Sequence, residues 1–541
     1  MDTLINFFPI FPALYAEIHY TLKGLSLVYR NWPEILTDAP FRVEPGKKIP
    51  ILILVKDAHR FPIILYPIHA EINYPDNTSN SILLTKETFQ IETPWWFRVI
   101  KIKPRDNFCG TLQIKIRIET RSKRRKKIHT FFTDNYRGSS HSPLRVHVAR
   151  EPFPKFKNWF HGDIHHHSNL TNDQTEFGSP IEATAKIAKA MGISFVGVTD
   201  HSYDLDDMED NYLQNDPNLS KWKFLHEKVN KIEKKGNLVF IPGEEVSCGN
   251  AKGKNLHMLL LNNKHFFHGS GDSAERWFKT SPEHTLKEIL DNLEENALAF
   301  AAHPEVPFPL LQWIFLRRGK WTDSDYRHKK LTGLQILNGS DDLFFRRGFR
   351  KWKELLLDGE KLSIAAGNDA HGSFNRYRQL GLPFLYLEER SVHLFGKVRT
   401  AVFVNGKLNR EKIIKALRSG HSYITTGPAM IIEIKNEKGE RRIPGDEIEG
   451  NKFILTINGL STEEFGRFMS CKIWLGDLTE KREKLIKRIE KFNNNYKFTS
   501  SCNLGKIRNI SYLRGELITK NSDGTFFCIT NPIYINGGNQ S

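Results

Sequence analysis

Cysteine is scarce in this chain, and its five copies, Cys109, Cys248, Cys471, Cys502 and Cys528, include no C-x-x-C pair. That argues against a thiolate zinc site and against a disulfide framework, and leaves buried reduced thiols as the expectation. Long apolar runs are missing as well. No segment reaches the length of a membrane-spanning helix. The most apolar N-terminal stretch, residues 6–16, is broken by Pro9 and Pro12 and has neither a basic flank nor a small-residue cleavage site. A cytoplasmic protein with no membrane partner is therefore expected. Nor is the chain poor enough in hydrophobic residues for disorder: 39% are hydrophobic and 26% charged, a soluble globular balance. Negative charge is in deficit, with 62 acidic against 79 basic residues and a formal net charge of +17. Such an excess favours an anionic partner, whether a phosphorylated small molecule, nucleic acid or a lipid surface.

What is present reads as several domains, because 541 residues exceed one ordinary core. Residues 41–148 consist of short strands punctuated by proline and Asn/Asp/Gly turns, and predict a β-sandwich-like accessory domain over residues 1–150. The basic run Arg121 to Lys127 follows a strand in which Leu112, Ile114, Ile116 and Ile118 alternate with polar residues. It carries no interleaved aromatic residue, so it reads as a hairpin tip rather than a nucleic-acid contact. After the linker Glu151-Pro152-Phe153-Pro154, strands alternate with helices. Ser179-Pro180-Ile181-Glu182 predicts a helix start with serine as the cap, and Ser281-Pro282-Glu283 and Phe344 to Leu357 open and fill two more units. Repeats of this kind predict an α/β barrel or doubly wound sheet over residues 155–428. Beyond Pro428 the strands return, interrupted by one charged amphipathic helix over residues 480–492, and predict a small β-rich domain over residues 429–541.

Four of the α/β segments end in histidine or carboxylate: Asp163-Ile164-His165-His166-His167, Thr199-Asp200-His201, Ala302-His303-Pro304 and Asn368-Asp369-Ala370-His371. In a barrel the carboxyl ends of parallel strands share one face, which brings such residues together. Residues two apart on a strand point the same way. His165 and His167 should therefore aim together, as should Asp369 and His371, with His166 facing away. Glu245 and His257 occupy further strand-like positions. Imidazole and carboxylate without thiolate suit manganese, zinc or iron. Asp163 and Asp200 read as carboxylates that buttress a neighbouring imidazole.

The segments Gly162-Asp-Ile-His-His-His167, Val198-Thr-Asp-His201, Pro242-Gly-Glu-Glu245, His303-Pro304 and Asp369-Ala-His371, in this order, resemble the motifs of the polymerase and histidinol phosphatase (PHP) domain. The resemblance covers about residues 160–428. It implies an α/β fold, a distorted (βα)7 barrel of PHP type flanked by N-terminal and C-terminal β-sandwich-like domains. It also implies two or three divalent ions and phosphoester hydrolysis by metal-activated water. The ligands it implies are His165, His167, His201, Glu245, His257, His303, Asp369 and His371. Where family members often have Ser-Asp, this chain has Thr171-Asn172-Asp173, so Asp173 is the expected oxygen donor. Arg376, in the loop after His371, is the expected cationic clamp for a phosphorylated small-molecule substrate, and Asp200 the expected catalytic carboxylate. A nuclease acting on DNA or RNA and a catalytically weakened metal-binding scaffold are the alternatives.

Overall fold

The computed structural model describes residues 32–537 apart from 124–125, 137, 173–176, 210, 234–237, 274–279, 308–312, 314–315, 382–385 and 508. β-Branched and aromatic residues dominate its first hundred residues, and these form strands. Glu34–Asp38, Ile49–Lys56 and Trp95–Ile102 make one antiparallel sheet. The long strand Gly110–Ser122 organises a second, with Ile63–Leu65, Ile68–Asn73, Ile128–Phe132 and Leu144–Val148 around it. Ile51, Ile53, Ile72, Ile114, Ile116 and Val146 fill the core they share. Arg121, which opens the basic run, pairs with Ile128, just beyond it; Arg124 and Arg125 lie outside the described residues.

The middle of the chain builds a curved sheet. Its strands are β1 (Trp159–His167), β2 (Phe195–His201), β3 (Val239–Gly249), β4 (Asn255–Leu261), β5 (Leu298–Ala302), β6 (Gly333–Asn338) and β7 (Ser363–Gly367), neighbours in that order. The two-residue strand β8 (Ala370–His371) turns back onto β1, with His167 opposite His371. Helices α1 (Ile181–Ala190) and α2 (Ser220–Glu233) share one apolar cluster with the β2 and β3 side chains Val196, Val198 and Phe240. Helices α3 (Leu286–Asn292) and α4 (Leu343–Leu357) share another with Leu334 and Ile364. A third cluster, including Ile164, Phe195, Ile241, Leu259, Phe300 and Ala365, draws on strands β1 to β5 and β7.

This is not the (βα)7, TIM-like barrel expected from the sequence. Strand β4 runs antiparallel to both β3 and β5. Only residues 250–254 separate β3 from β4, too few for the crossover that a parallel pair requires, so the chain forms a hairpin instead. The sheet also continues past β1 through β9 (Arg399–Phe403) and β10 (Ser422–Thr425), both antiparallel to their neighbours, into Thr525–Thr530, Ser511–Lys520, Arg467–Asp477 and Arg482–Ile489. Strands on the two sides of residue 428 are thus hydrogen-bonded to one another.

Two local expectations also change. Pro180, not Ser179, is the N-cap of α1, and no side chain caps it. The amphipathic helix expected over residues 480–492 is the strand Arg482–Ile489, paired along Arg467–Asp477. Partner-strand hydrogen bonding overrides helix propensity here, and lysine and arginine suit an edge strand.

Candidate metal centre

Strand β1 carries the first two imidazoles. Its register against β2 slips between Asp163 and His166, giving β1 one residue more than its partner. A bulge of this kind re-aims side chains. His165 and His167 bring their Nε2 atoms to 3.2 Å from each other, while His166 turns to the Thr184 hydroxyl at 3.1 Å and packs beside Phe395. The backbone behind His165 is tight: a side chain on Gly367 would meet the His165 Cβ at 2.5 Å.

Glu245 at β3 lies at the middle. Its Oε2 is 3.2 Å from His165 Nε2, 3.4 Å from His167 Nε2 and 3.2 Å from His201 Nδ1. Its Oε1 is 2.8 Å from His257 Nδ1 and 3.1 Å from His303 Nε2. Asp369 Oδ1 lies 3.3 Å from His165 Nε2 and 3.2 Å from His167 Nε2. The His371 ring stacks on His167 with centroids 3.9 Å apart. Three groups of donors result, each compact enough for one ion: His167, His201 and His371; His165, His167, Glu245 and Asp369; and Glu245, His257 and His303. His303 and Asp369 have φ values of 30° and 51°, a region that non-glycine residues seldom adopt. Such backbone strain clusters at functional sites.

The donor set fits divalent ions. Adjacent ligands about 2.0–2.1 Å from one ion are separated by about 2.8–3.0 Å in octahedral and about 3.3–3.4 Å in tetrahedral geometry, a range that includes the 3.2–3.4 Å spacings around Glu245 Oε2 and Asp369 Oδ1. The outward ring nitrogens are held by acceptors: His165 Nδ1 by Gln335 Oε1 at 3.0 Å, His167 Nδ1 by Thr171 Oγ1 at 3.2 Å and His257 Nε2 by Asp272 Oδ2 at 3.0 Å. Each bond turns the inner nitrogen towards the centre, where it would ligate an ion on losing its proton. Among the described residues His371 Nε2 is buried without a hydrogen-bond partner, an arrangement that is costly unless something else satisfies it.

The electrostatics show how much positive charge the carboxylates demand. Burial opposes a charge on His165 and His167, but Asp369 and Glu245 overcome it, raising His165 and taking His167 to about 10. Burial alone would raise Glu245, yet His257 and His165 hold it well below the ordinary carboxylate range. Burial and the neighbouring His167 lower His201 to about 4 and hold His371 well below the ordinary imidazole value.

Residues that sequence reasoning did not single out complete the arrangement. Gln335 gave a signal, as a polar residue inside the apolar strand Gly333–Asn338. Asp272 gave none, since it lies in a loop far from every motif. Its carboxylate joins Arg318 Nη1 at 2.7 Å to His257 Nε2. Asp272→Ala should therefore release the His257 ring and weaken metal binding by about 10–100-fold, a cost common to lost supports of ligating histidines. Calorimetric titration of the metal-free protein with manganese measures it, and unchanged affinity would show that Asp272 does not orient the ring.

Other expected residues stand elsewhere. Asp163 accepts from His165 N, Asn368 N, Asn368 Nδ2 and Gly396 N, joining the backbones of β1 and the β7–β8 turn. Among the described residues Asp200 touches no imidazole by hydrogen bond; it accepts from Ser168 N, Ser168 Oγ and Thr171 N. It fixes the loop from which Thr171 reaches His167, so the catalytic role expected of it is corrected to support. Arg376 is corrected too: its guanidinium is bound to Glu389, Ser140 Oγ and the carbonyls of Ser142 and Pro143, which leaves it unavailable as a substrate clamp. Asp173 lies outside the described residues.

No family model matches the chain, and no curated protein matches it. Among solved structures, the chain is similar to Bacteroides uniformis β-glucuronidase 2 covalently bound to cyclophellitol-6-carboxylate aziridine, at 9% identity over 93% of this chain and 61% of that one, with a TM-score of 0.17. It is similar to Parabacteroides merdae β-glucuronidase at 8% identity over 94% and 66%, with a TM-score of 0.18. Native α-2-macroglobulin of E. coli covers 96% of this chain and 23% of its own, at 7% identity and a TM-score of 0.14. The chain spans less than two thirds of each of these structures. At such TM-scores the likenesses carry no argument about fold or activity. No family model matches, so the PHP assignment is corrected: the motifs alone do not place the chain in that family. The phosphatase, phosphodiesterase and nuclease activities that rested on it are withdrawn with it.

Proposed function

We propose that the chain is a metal-dependent hydrolase that activates water at a centre of two or three divalent ions of manganese, zinc or iron. One observation carries this reading: the two oxygens of Glu245 are divided between imidazoles, Oε2 among His165, His167 and His201, and Oε1 between His257 and His303. A carboxylate so placed is suited to bridge two cations. Asp369 would complete the first position with His165 and His167, and His371 would join His167 and His201 at a third. Such ions, when bound, act as Lewis acids and lower the pKa of water towards neutrality.

The residues themselves supply the rest. With ions bound, Gln335, Thr171 and Asp272 would hold the outer ring nitrogens and keep the inner ones turned inwards. His165, His167 and Glu245 are fully buried, whereas Asp369 and His303 keep about a fifth of their side chains exposed, at 21% and 17%. Substrate would therefore approach from the side of Asp369 and His303. We place the protein in the cytoplasm on its five unpaired thiols. Among the described residues, no helix is long and apolar enough to cross a membrane.

Elemental analysis of protein purified without added metal tests the reading. At least two divalent ions per chain are expected, together with hydrolysis of a member of a p-nitrophenyl ester and glycoside panel that a chelator stops and manganese or zinc restores. Fewer than one ion per chain after incubation with either metal would overturn it.

A further inference from the structure

The N-terminal β region and the loop that follows His371 are bound together by contacts that a merely adjacent domain does not need. Phe374 N donates to Asp38 Oδ2 at 3.0 Å, and Phe41 N donates to Phe374 O at 2.9 Å. Asn375 reads both backbone atoms of Arg145, accepting from its N at 3.1 Å and donating to its O at 2.7 Å. Arg376 donates to the carbonyls of Ser142 and Pro143, and Arg378 to Asp134 Oδ2 at 3.3 Å. Every residue from 374 to 376, and Arg378 beyond them, is thus tied to residues 38–145. Apolar packing repeats the pattern, since Leu36, Leu52, Leu54 and Tyr136 lie in one cluster with Ala370, Phe374 and Phe395. Asp38 is buried, and burial raises its pKa to about 6 against the pull of Arg378, which shows how far from water this junction is.

The far end of the same short loop is the candidate ligand His371. Its strand, β8, has only two residues and one neighbour, β1. Two residues of pairing hold this ring weakly: its Nδ1 meets the Asp369 carbonyl at 3.2 Å within its own turn, and Nε2 has no hydrogen-bond partner among the described residues. Resting on the metal-centre reading above, we infer that the N-terminal β region is a structural part of that centre, and that Asp38 and Asn375 are positioning residues that set His371 for the ion shared with His167 and His201. On this view the region is not an independent binding module tethered by a linker.

The test uses the full chain and compares wild type with Asp38→Ala, Asp38→Asn and Asn375→Ala, each stripped of metal and titrated with manganese. The expected result is selective. Asp38→Ala and Asn375→Ala should weaken one class of ion at least tenfold and leave the others, while Asp38→Asn, which keeps one acceptor oxygen for Phe374 N and loses the one for Ala39 N, should lose less than Asp38→Ala. Hydrogen exchange at residues 371–378 should rise in the two alanine variants. Asn375 is only half-buried, so its variant serves if Asp38→Ala does not fold. Alanine variants with wild-type stoichiometry and affinity would overturn the inference alone. A wild type that holds no divalent ion would overturn the metal-centre reading and this inference together.

Discussion

Glu245→Ala should abolish metal binding at two of the three donor groups and lower hydrolysis by more than about 100-fold, beyond what loss of an outer support costs. The reason is geometric. Five imidazole nitrogens lie within 3.4 Å of one or other oxygen of this carboxylate. Removing it deletes the shared ligand of both groups and leaves the imidazoles facing each other. It also removes the negative charge that, with Asp369, raises His165 and His167 above the ordinary histidine value. Glu245→Gln should fall nearly as far, because the amide keeps the shape but supplies neither a charge nor a second oxygen. Metal content by elemental analysis, with circular dichroism to confirm folding, decides the matter. A folded Glu245→Ala chain that keeps its full complement of ions would show that the centre is organised around another residue.

The site was more legible in the sequence than the fold was. A strand alternates its faces, so His165-His166-His167 could be sorted into inward and outward rings before any coordinates, and His166 does turn to Thr184. Histidine and carboxylate at strand ends and strand-like positions named all eight residues now seen in the three donor groups, but not that Glu245 lies at their middle. What failed depends on contacts distant in sequence. Nothing in Pro242 to Gly249 says that the next strand returns beside it as a hairpin; only the five-residue gap hints at it, and a strand-helix rhythm elsewhere concealed the hint. Residues 480–492 have the charge and spacing of a surface helix, yet Glu483 is drawn into the sheet by the buried Arg514, which it meets with both oxygens. Arg376 followed a motif closely enough to suggest a substrate contact, but its partners Ser142 and Pro143 lie more than two hundred residues earlier. Polar residues near a site in sequence can equally serve to bind domains to each other.

Arg42 is the strongest case of that second use, and Arg42→Ala should destabilise the chain by about 3 kcal/mol, the lower end for breaking a buried ion pair. Its side chain is 2% exposed. Nε and Nη2 meet the two oxygens of Glu464 at 2.6 and 3.0 Å, Nη1 meets Glu44 at 2.6 Å, and Nη2 also reaches the carbonyl of Glu151 at 3.2 Å. The guanidinium lies 5.5 Å from the Phe153 ring centre and 5.7 Å from that of Phe465. One residue thus binds the N-terminal strands, the linker and the C-terminal β region. Burial alone would lower its pKa, but Glu464 and Glu44 raise it, so it stays charged throughout the working range. The lower figure applies because Glu464 and Glu44 are 21% and 13% exposed and can recover some hydration when the arginine is gone. Lysine should not restore it, since a point charge cannot meet both oxygens of Glu464 in the plane that the guanidinium offers. Because the contact joins three regions, calorimetry of Arg42→Ala should show an earlier transition separated from the main one. A single transition at the wild-type temperature would mean that the apolar contacts between these regions hold them together without the arginine.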